Sequence, residues 1–114
     1  MDPKDFNRLN HMLDAAKTIR HHIASKDASN LEKDRLLLGG IIRELLLIGE
    51  AANAVSSKTK TETSSIPWKK IIGMRNQLIH GYFDISYRII WSTVIEDIPE
   101  LIAQLEKILS RPLS

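Results

Sequence analysis

Two side chains able to act on a phosphodiester lie close together in the segment GMRNQLIHGYF, residues 73–83. A histidine such as His80 takes or gives a proton near neutral pH, and an arginine such as Arg75 holds a phosphate and the charge that develops as it is attacked. In RNA, a 2′-hydroxyl deprotonated by His80 can attack while Arg75 neutralises the transition state without a metal. Such residues are also common on solvated helices. Spacing alone therefore does not distinguish a catalytic site from an ordinary solvent-exposed helix face.

The helical register places these side chains on one face. With Arg75 at 0°, Asn76 falls at about 100° and His80 at about 140°, since each residue of an α-helix turns by about 100°. Ile71, Met74 and Leu78 fall on the far side and are predicted to anchor the helix to the core. Cleavage needs two proton transfers, and one histidine per chain accounts for only one of them. In a symmetric dimer, the histidine of the second copy would make the other.

The remaining pattern predicts an all-α bundle of four to five helices in a single domain, residues 1–114. Apolar spacing predicts a helix over 3–25 and a second over 30–56, the latter started by a capping box of Ser29 and Glu32. The polar stretch SSKTKTETSS reads as a surface loop. Three further helices are predicted: one over 67–81 between Pro67 and Gly81, one begun by Asp84 and Ser86, and one begun after a break at Asp97 and Pro99.

The second predicted helix, containing LLLGGIIRELLLIGEAANAV, is apolar around most of its circumference. Such a helix needs cover on several sides. It is either the central helix of a bundle or part of a subunit interface. Gly39, Gly40 and Gly49 lower helix propensity, and close packing against a neighbouring helix would compensate.

Composition limits the possible functions. The 16 Lys and Arg nearly balance the 14 Asp and Glu, so any nucleic acid would be bound by a local cluster of residues and not by overall charge. Lys69 and Lys70 either contact phosphates or are simply solvated. The absence of cysteine excludes disulfides and thiolate chemistry. No signal peptide or membrane span is recognised, and we expect a cytoplasmic protein. His11, His21 and His22 lack metal-binding spacing, and we expect no metal and no cofactor.

Four segments, in order, resemble one family. MRNQLIHGYF carries the R-N-x-x-x-H motif of HEPN ribonucleases extended by H-x-Y, and LIGEAANAVS, IPWKKIIGMRN and IIWSTVIEDIPEL resemble its other characteristic segments. Over nearly its full length the chain is similar to the HepT-like toxins of toxin–antitoxin systems.

This resemblance implies a homodimer with the motif near its cleft and metal-independent cleavage of RNA. Arg75 and His80 are then the catalytic pair, and Asn76 helps to position them. Tyr82 corresponds to the tyrosine to which a partner nucleotidyltransferase of the MntA type, the antitoxin, attaches AMP, adding bulk and negative charge beside His80. Glu50 either orients Arg75 or is an ordinary surface glutamate.

Two other functions remain open beside the ribonuclease. One is a non-catalytic subunit that presents substrate to a nucleotidyltransferase or restrains it. The other is a scaffold dimer without activity, which is what composition alone would suggest. The intact motif favours the enzyme. The identity of the RNA and the stoichiometry of the antitoxin complex are not written in the sequence.

Overall fold

Helices form all the regular secondary structure in the part of the chain that the computed structural model describes, residues 1–81 and 85–110. This confirms the prediction of an all-α fold, but the described residues form seven α-helices instead of the four to five predicted. The α-helices are α1 (Pro3–Ile23), α2 (Ala28–Lys33), α3 (Arg35–Ala54), α4 (Ser57–Glu62), α5 (Trp68–His80), α6 (Tyr87–Ser92) and α7 (Ile98–Leu109), and a π-helical turn, Thr93–Asp97, joins α6 to α7.

The two most extensive contacts between helices in the described residues both involve helix α1. It packs against α3 on one side and α7 on another, while α3 also carries α5, and α2 contacts α3 and α6. The largest of the fully buried apolar side chains form one core: Leu9, Met12, Ile19, Leu31, Ile66, Leu78, Ile90, Val94, Ile102 and Leu105. The helix that carries the motif, α5, is therefore positioned chiefly by α3.

Helix α3 is only partly covered by its neighbours. It packs against α1, α2 and α5, yet Leu36 is 89% exposed and Leu47 is 45% exposed. The apolar circumference noted in the sequence thus leaves surface that a second chain could cover. Among the described residues, no helix combines the length and apolar character that crossing a lipid bilayer requires.

The single helix predicted over 30–56 is wrong, because the chain breaks at Asp34. The backbone of Asp34 is extended, and its carboxylate accepts a hydrogen bond from the Leu37 N–H at 3.1 Å, which caps α3. The predicted cap at Ser29 is also wrong: a capping box between Asp27 and Asn30 begins α2. Short polar side chains that compete for backbone hydrogen bonds explain both differences.

The predicted loop SSKTKTETSS contains helix α4. Ser56 caps it through a bond from the Thr59 N–H. Buried Asp5 accepts bonds from the Ser56 N–H at 3.1 Å, the Ser56 hydroxyl at 2.6 Å and the Thr59 hydroxyl at 2.7 Å. Burial by itself would raise the pKa of Asp5, but these bonds outweigh it and lower the pKa to about 2. A carboxylate on α1 therefore holds α4 in place.

The predicted break near Pro99 is a change of helix type. The Ile98 N–H bonds to the Thr93 carbonyl, five residues back, and α7 continues from there without a gap. A proline ring collides with the carbonyl four residues before it, here that of Ile95, and the wider π turn relieves that collision. Asp97 caps nothing with its side chain, contrary to the prediction.

Candidate functional site

Helix α5 is fixed at both ends by buried side chains. At its start Trp68 is buried, and its indole N–H donates to the Thr63 carbonyl at 3.2 Å, while the Lys60 ammonium lies 5.9 Å from the ring centroid. Near its end Leu78 is buried in the core. Pro67 and Gly81 flank the helix, within a residue of the prediction.

The predicted core side of α5 is correct, and the predicted polar side is correct for Asn76 and His80, whereas Arg75 is half-buried against α3. Leu78 is buried, and Ile71 and Met74 are half-buried. Asn76 and His80 are exposed, and the Arg75 side chain is 23% exposed. Arg75 and His80 are five residues apart, about 7.5 Å along the axis, so a bound phosphate can lie between them.

The Arg75 guanidinium is held by two oxygens. Its Nε donates to a carboxylate oxygen of Glu50 at 3.0 Å, and one terminal nitrogen lies 2.9 Å from the same oxygen as an ion pair. The other terminal nitrogen donates to Oδ1 of Asn76 at 2.9 Å. Because Glu50 is half-exposed, the ion pair contributes only about 0–1 kcal/mol to stability. Its larger effect is on the direction of the guanidinium: the N–H groups that are not hydrogen-bonded to Glu50 or Asn76 remain for a ligand.

Gly49, next to Glu50, lies directly against Arg75. A Cβ built on Gly49 would lie 2.6 Å from Cγ of Arg75 and closer still to its Cβ. The prediction of close packing therefore holds for Gly49. Within the single chain it does not hold for Gly39 and Gly40, where a Cβ would meet nothing within 4 Å.

The two lysines before the motif differ in their surroundings. The Lys70 ammonium lies 2.9 Å from a carboxylate oxygen of Asp97, and this bond raises the pKa of Lys70. Lys69 is exposed and has no carboxylate within 4.0 Å among residues 1–81 and 85–110. In the helical register Lys69 falls on the same face as Asn76 and His80. Of these two lysines, Lys69 is therefore the one that lies on the face of the motif and forms no ion pair with a described residue.

A groove of about 500 Å³ runs between α1 and α3, and Glu50 is one of its lining residues. Its α1 wall carries Arg8, His11 and Asp14, and its α3 wall carries Glu44 and Glu50. Like charge makes this groove a poor channel for a phosphate backbone.

The structure brings Arg75, Asn76 and Glu50 into contact and leaves His80 on the open face, where it has no hydrogen-bond partner among the described residues. Tyr82, the predicted modification site, lies outside the described residues. His11, His21 and His22 are exposed on α1, as expected. Within the described ranges no three His, Asp or Glu side chains are grouped to hold a metal ion.

Sequence reasoning missed Gly49 as a neighbour of Arg75. The only signal for it was the Gly-Glu pair in LIGEAANAVS, which does not say which helix the glycine meets. It also missed Asp5, whose partners on α4 are more than 50 residues away.

Taken together, fold and site define a helical bundle that presents an R-N-x-x-x-H motif on one exposed helix face. The family described as "Ribonuclease HepT-like" matches residues 12–108, and the chain belongs to this HepT-like ribonuclease family. The resemblance read from the four segments is thereby confirmed.

Named relatives agree with this membership. A protein of Caldanaerobacter subterraneus subsp. tengcongensis, named as a candidate RNase, is 37% identical over 90% of this chain and 92% of its own length. A candidate RNase of Methanocaldococcus jannaschii is 31% identical over 83% of this chain and 87% of its own. A Thermococcus cleftensis protein named as a probable ribonuclease HepT is 43% identical over 60% of this chain and 62% of its own. No solved structure matches the chain significantly.

Proposed function

We propose that this protein is a metal-independent endoribonuclease and the toxin of a toxin–antitoxin pair. The observation that carries the proposal is the arrangement on α5: a fixed Arg75 and an open His80 on one exposed face, in a chain of the HepT-like ribonuclease family. Arg75 and His80 are the catalytic residues, and Asn76 and Glu50 hold the guanidinium of Arg75.

The reaction needs two proton transfers and one phosphate contact. His80 removes the proton of the 2′-hydroxyl, whose oxygen attacks the adjacent phosphorus while the bond to the 5′-oxygen breaks. The products are a 2′,3′-cyclic phosphate and a 5′-hydroxyl, the latter taking its proton from a general acid. The free N–H groups of Arg75 stabilise the extra negative charge on the phosphoryl oxygens in the transition state.

A homodimer supplies the general acid as the second copy of His80. Two apolar side chains beside the Glu50–Arg75 pair support this assembly: Leu47, one turn before Glu50 on α3, and Ile79, one turn after Arg75 on α5. Each is 45% exposed in the single chain. Covering them with a second copy would bury apolar surface and bring two motif faces to one cleft.

The regulatory part of the proposal concerns Tyr82 and a partner nucleotidyltransferase acting as the antitoxin. Transfer of AMP from ATP to the Tyr82 hydroxyl, with release of pyrophosphate, would place a phosphate two residues from His80. That negative charge would repel the RNA backbone, and the nucleotide would occupy the approach to the motif. The catalytic step itself uses protein side chains alone, without cofactor or metal.

The test is RNA cleavage in the presence of EDTA by protein whose intact mass shows unmodified Tyr82, run beside His80→Ala. A positioned histidine general acid–base typically contributes about 10²- to 10⁴-fold, so we expect cleavage by the parent, cyclic phosphate ends on its products and a loss of that order in the variant. Equal cleavage by parent and variant would refute the role of His80 and point to a contaminating nuclease.

A second candidate is a non-catalytic subunit that binds a nucleotidyltransferase. The observation in its favour is the occupation of all three Arg75 nitrogens by Glu50 and Asn76, which suits a residue that fixes a surface for a protein partner. Expression of the chain alone separates the two. Growth arrest relieved by co-expressed nucleotidyltransferase indicates the toxin, whereas harmless expression and a stable complex indicate the binding subunit.

A further inference from the structure

The contact between Gly49 and Arg75 places the backbone of α3 directly against the stem of Arg75 on the motif helix. A Cβ on Gly49 would lie 2.6 Å from Cγ of Arg75, closer to its Cβ, and 3.4 Å from its Cα. Non-bonded carbon atoms pack at about 3.5 to 4.0 Å. The stem of Arg75 thus occupies the space that any other residue at position 49 would need.

No rotation of the arginine side chain relieves that conflict. Cα and Cβ of Arg75 move only with the backbone, so a methyl group on Gly49 would push α5 away from α3 by about 1 to 1.5 Å. The bonds from Arg75 to Glu50 cross the two helices and would lengthen with this displacement. The bond to Asn76 lies within α5 and would move with it.

From this geometry we infer that Gly49 is a positioning residue for Arg75. Its missing side chain sets how closely α5 lies against α3, and this distance lets the carboxylate of Glu50 reach the guanidinium and aim its remaining N–H groups outward. Gly49 has no side chain to offer a substrate and acts only through Arg75. The inference rests on the proposed ribonuclease, in which a displacement of about 1 Å costs up to about 100-fold in rate.

The same helix offers a matched control in Gly39. Both glycines lie inside α3, and replacing either with alanine raises helix propensity by about 0.5 to 1 kcal/mol. They differ in what the new methyl group meets: Arg75 at position 49, and nothing within 4 Å at position 39. A comparison of Gly49→Ala with Gly39→Ala therefore separates the effect of the steric contact with Arg75 from the effect of helix propensity.

The first measurement is steady-state RNA cleavage by the parent and both variants, with folding checked by circular dichroism and assembly by light scattering. We expect Gly49→Ala to lower kcat about 10- to 100-fold with KM within about threefold, since Arg75 is used mainly in the transition state. Gly39→Ala should cleave as the parent does. Cleavage by Gly49→Ala within about twofold of the parent would overturn the inference.

The second measurement does not depend on activity. The side-chain Nε–H of Arg75 gives an NMR resonance, assigned by its loss in Arg75→Lys, that reports the bond to Glu50. We expect it to be protected from exchange with water in the parent and in Gly39→Ala, and to shift and exchange faster in Gly49→Ala. An unchanged resonance in Gly49→Ala would overturn the inference, even if its kcat were lower.

The two measurements distinguish failure of the inference from failure of the proposed function. If the parent cleaves no RNA, the ribonuclease proposal fails, while the resonance still decides whether Gly49 fixes Arg75. If Gly49→Ala does not fold, Gly49 serves packing alone and the inference is overturned.

Discussion

The buried carboxylate of Asp5 predicts a defined loss of stability at low pH. Its pKa is lowered from 3.8 to about 2 in the native protein, so the unfolded chain binds the proton more tightly than the native one. At about 1.36 kcal/mol per pH unit, the ionised carboxylate contributes about 2.5 kcal/mol to the free energy of unfolding. This contribution is fully present above about pH 4 and is lost as the pH falls towards 2.

The perturbation is Asp5→Asn, which keeps the shape of the side chain and removes its charge. The amide of asparagine faces the hydroxyls of Ser56 and Thr59 with an N–H donor in place of one acceptor oxygen. We expect the free energy of unfolding at pH 7 to fall by about 2 to 3 kcal/mol. The stability lost between pH 4 and 2 should shrink by about 1.5 to 2 kcal/mol, because half of the native carboxylate is still ionised at pH 2 and the variant has no proton to bind at this position.

Urea unfolding at pH 7, 5, 4, 3 and 2 measures both effects. With a slope of about 1 to 3 kcal/mol per molar urea, the midpoint at pH 7 should fall by about 1 to 2 M. Asp14→Asn, an exposed carboxylate on the same helix, is the control and should stay within about 0.5 kcal/mol of the parent. Parallel pH curves for the parent and Asp5→Asn would refute the assignment of a low pKa to Asp5.

Three further predictions concern the proposed site. Glu50→Ala should lower kcat for RNA about 10- to 100-fold, whereas Glu50→Gln, which keeps an acceptor oxygen, should stay within about threefold in the same assay. Lys69→Ala should weaken RNA binding and reduce the slope of log affinity against log salt concentration by about 0.7. Lys70→Ala should leave this slope unchanged. Both are measured by RNA titrations of a cleavage-deficient protein. Ile79→Arg should abolish the dimer and cleavage, measured by sedimentation and RNA digestion, while Ile89→Arg should not.

Each of the three has an outcome that contradicts it. Equal activity of the two Glu50 variants would show that the acceptor oxygen does not orient Arg75. Equal salt slopes after replacement of either lysine would remove Lys69 from the RNA contact. A dimer that survives Ile79→Arg would place the subunit interface elsewhere on the bundle.

Local patterns in the sequence predicted the motif helix well because its determinants lie within it. The spacing of Ile71, Met74 and Leu78 fixes which side of α5 faces the core, and this leaves Arg75 and His80 on the other side. Pro67 and Gly81 mark its ends. Nothing beyond a helical period was needed to find the face that carries the candidate chemistry.

What sequence reasoning could not supply were contacts between residues far apart in the chain. The stretch SSKTKTETSS has the composition of a loop, and it forms α4 because a buried Asp5 satisfies the polar groups at its start. Likewise, a glycine pattern predicts a close approach without naming the neighbour, and only the fold shows that Gly49 meets Arg75 while Gly39 meets nothing.

The π-helical turn, Thr93–Asp97, lets the continuous helix formed by α6 and α7 pack against two different helices. A π turn holds about one residue more than an α turn, so the side chains before it are rotated by about 100° relative to those after it. Beyond the turn, α7 lies along α1, and ahead of it α6 lies along α2. The extra residue of the turn therefore sets the rotation between α6 and α7. A relative that lacks one residue at this point could keep both helix contacts only if its helix bent there.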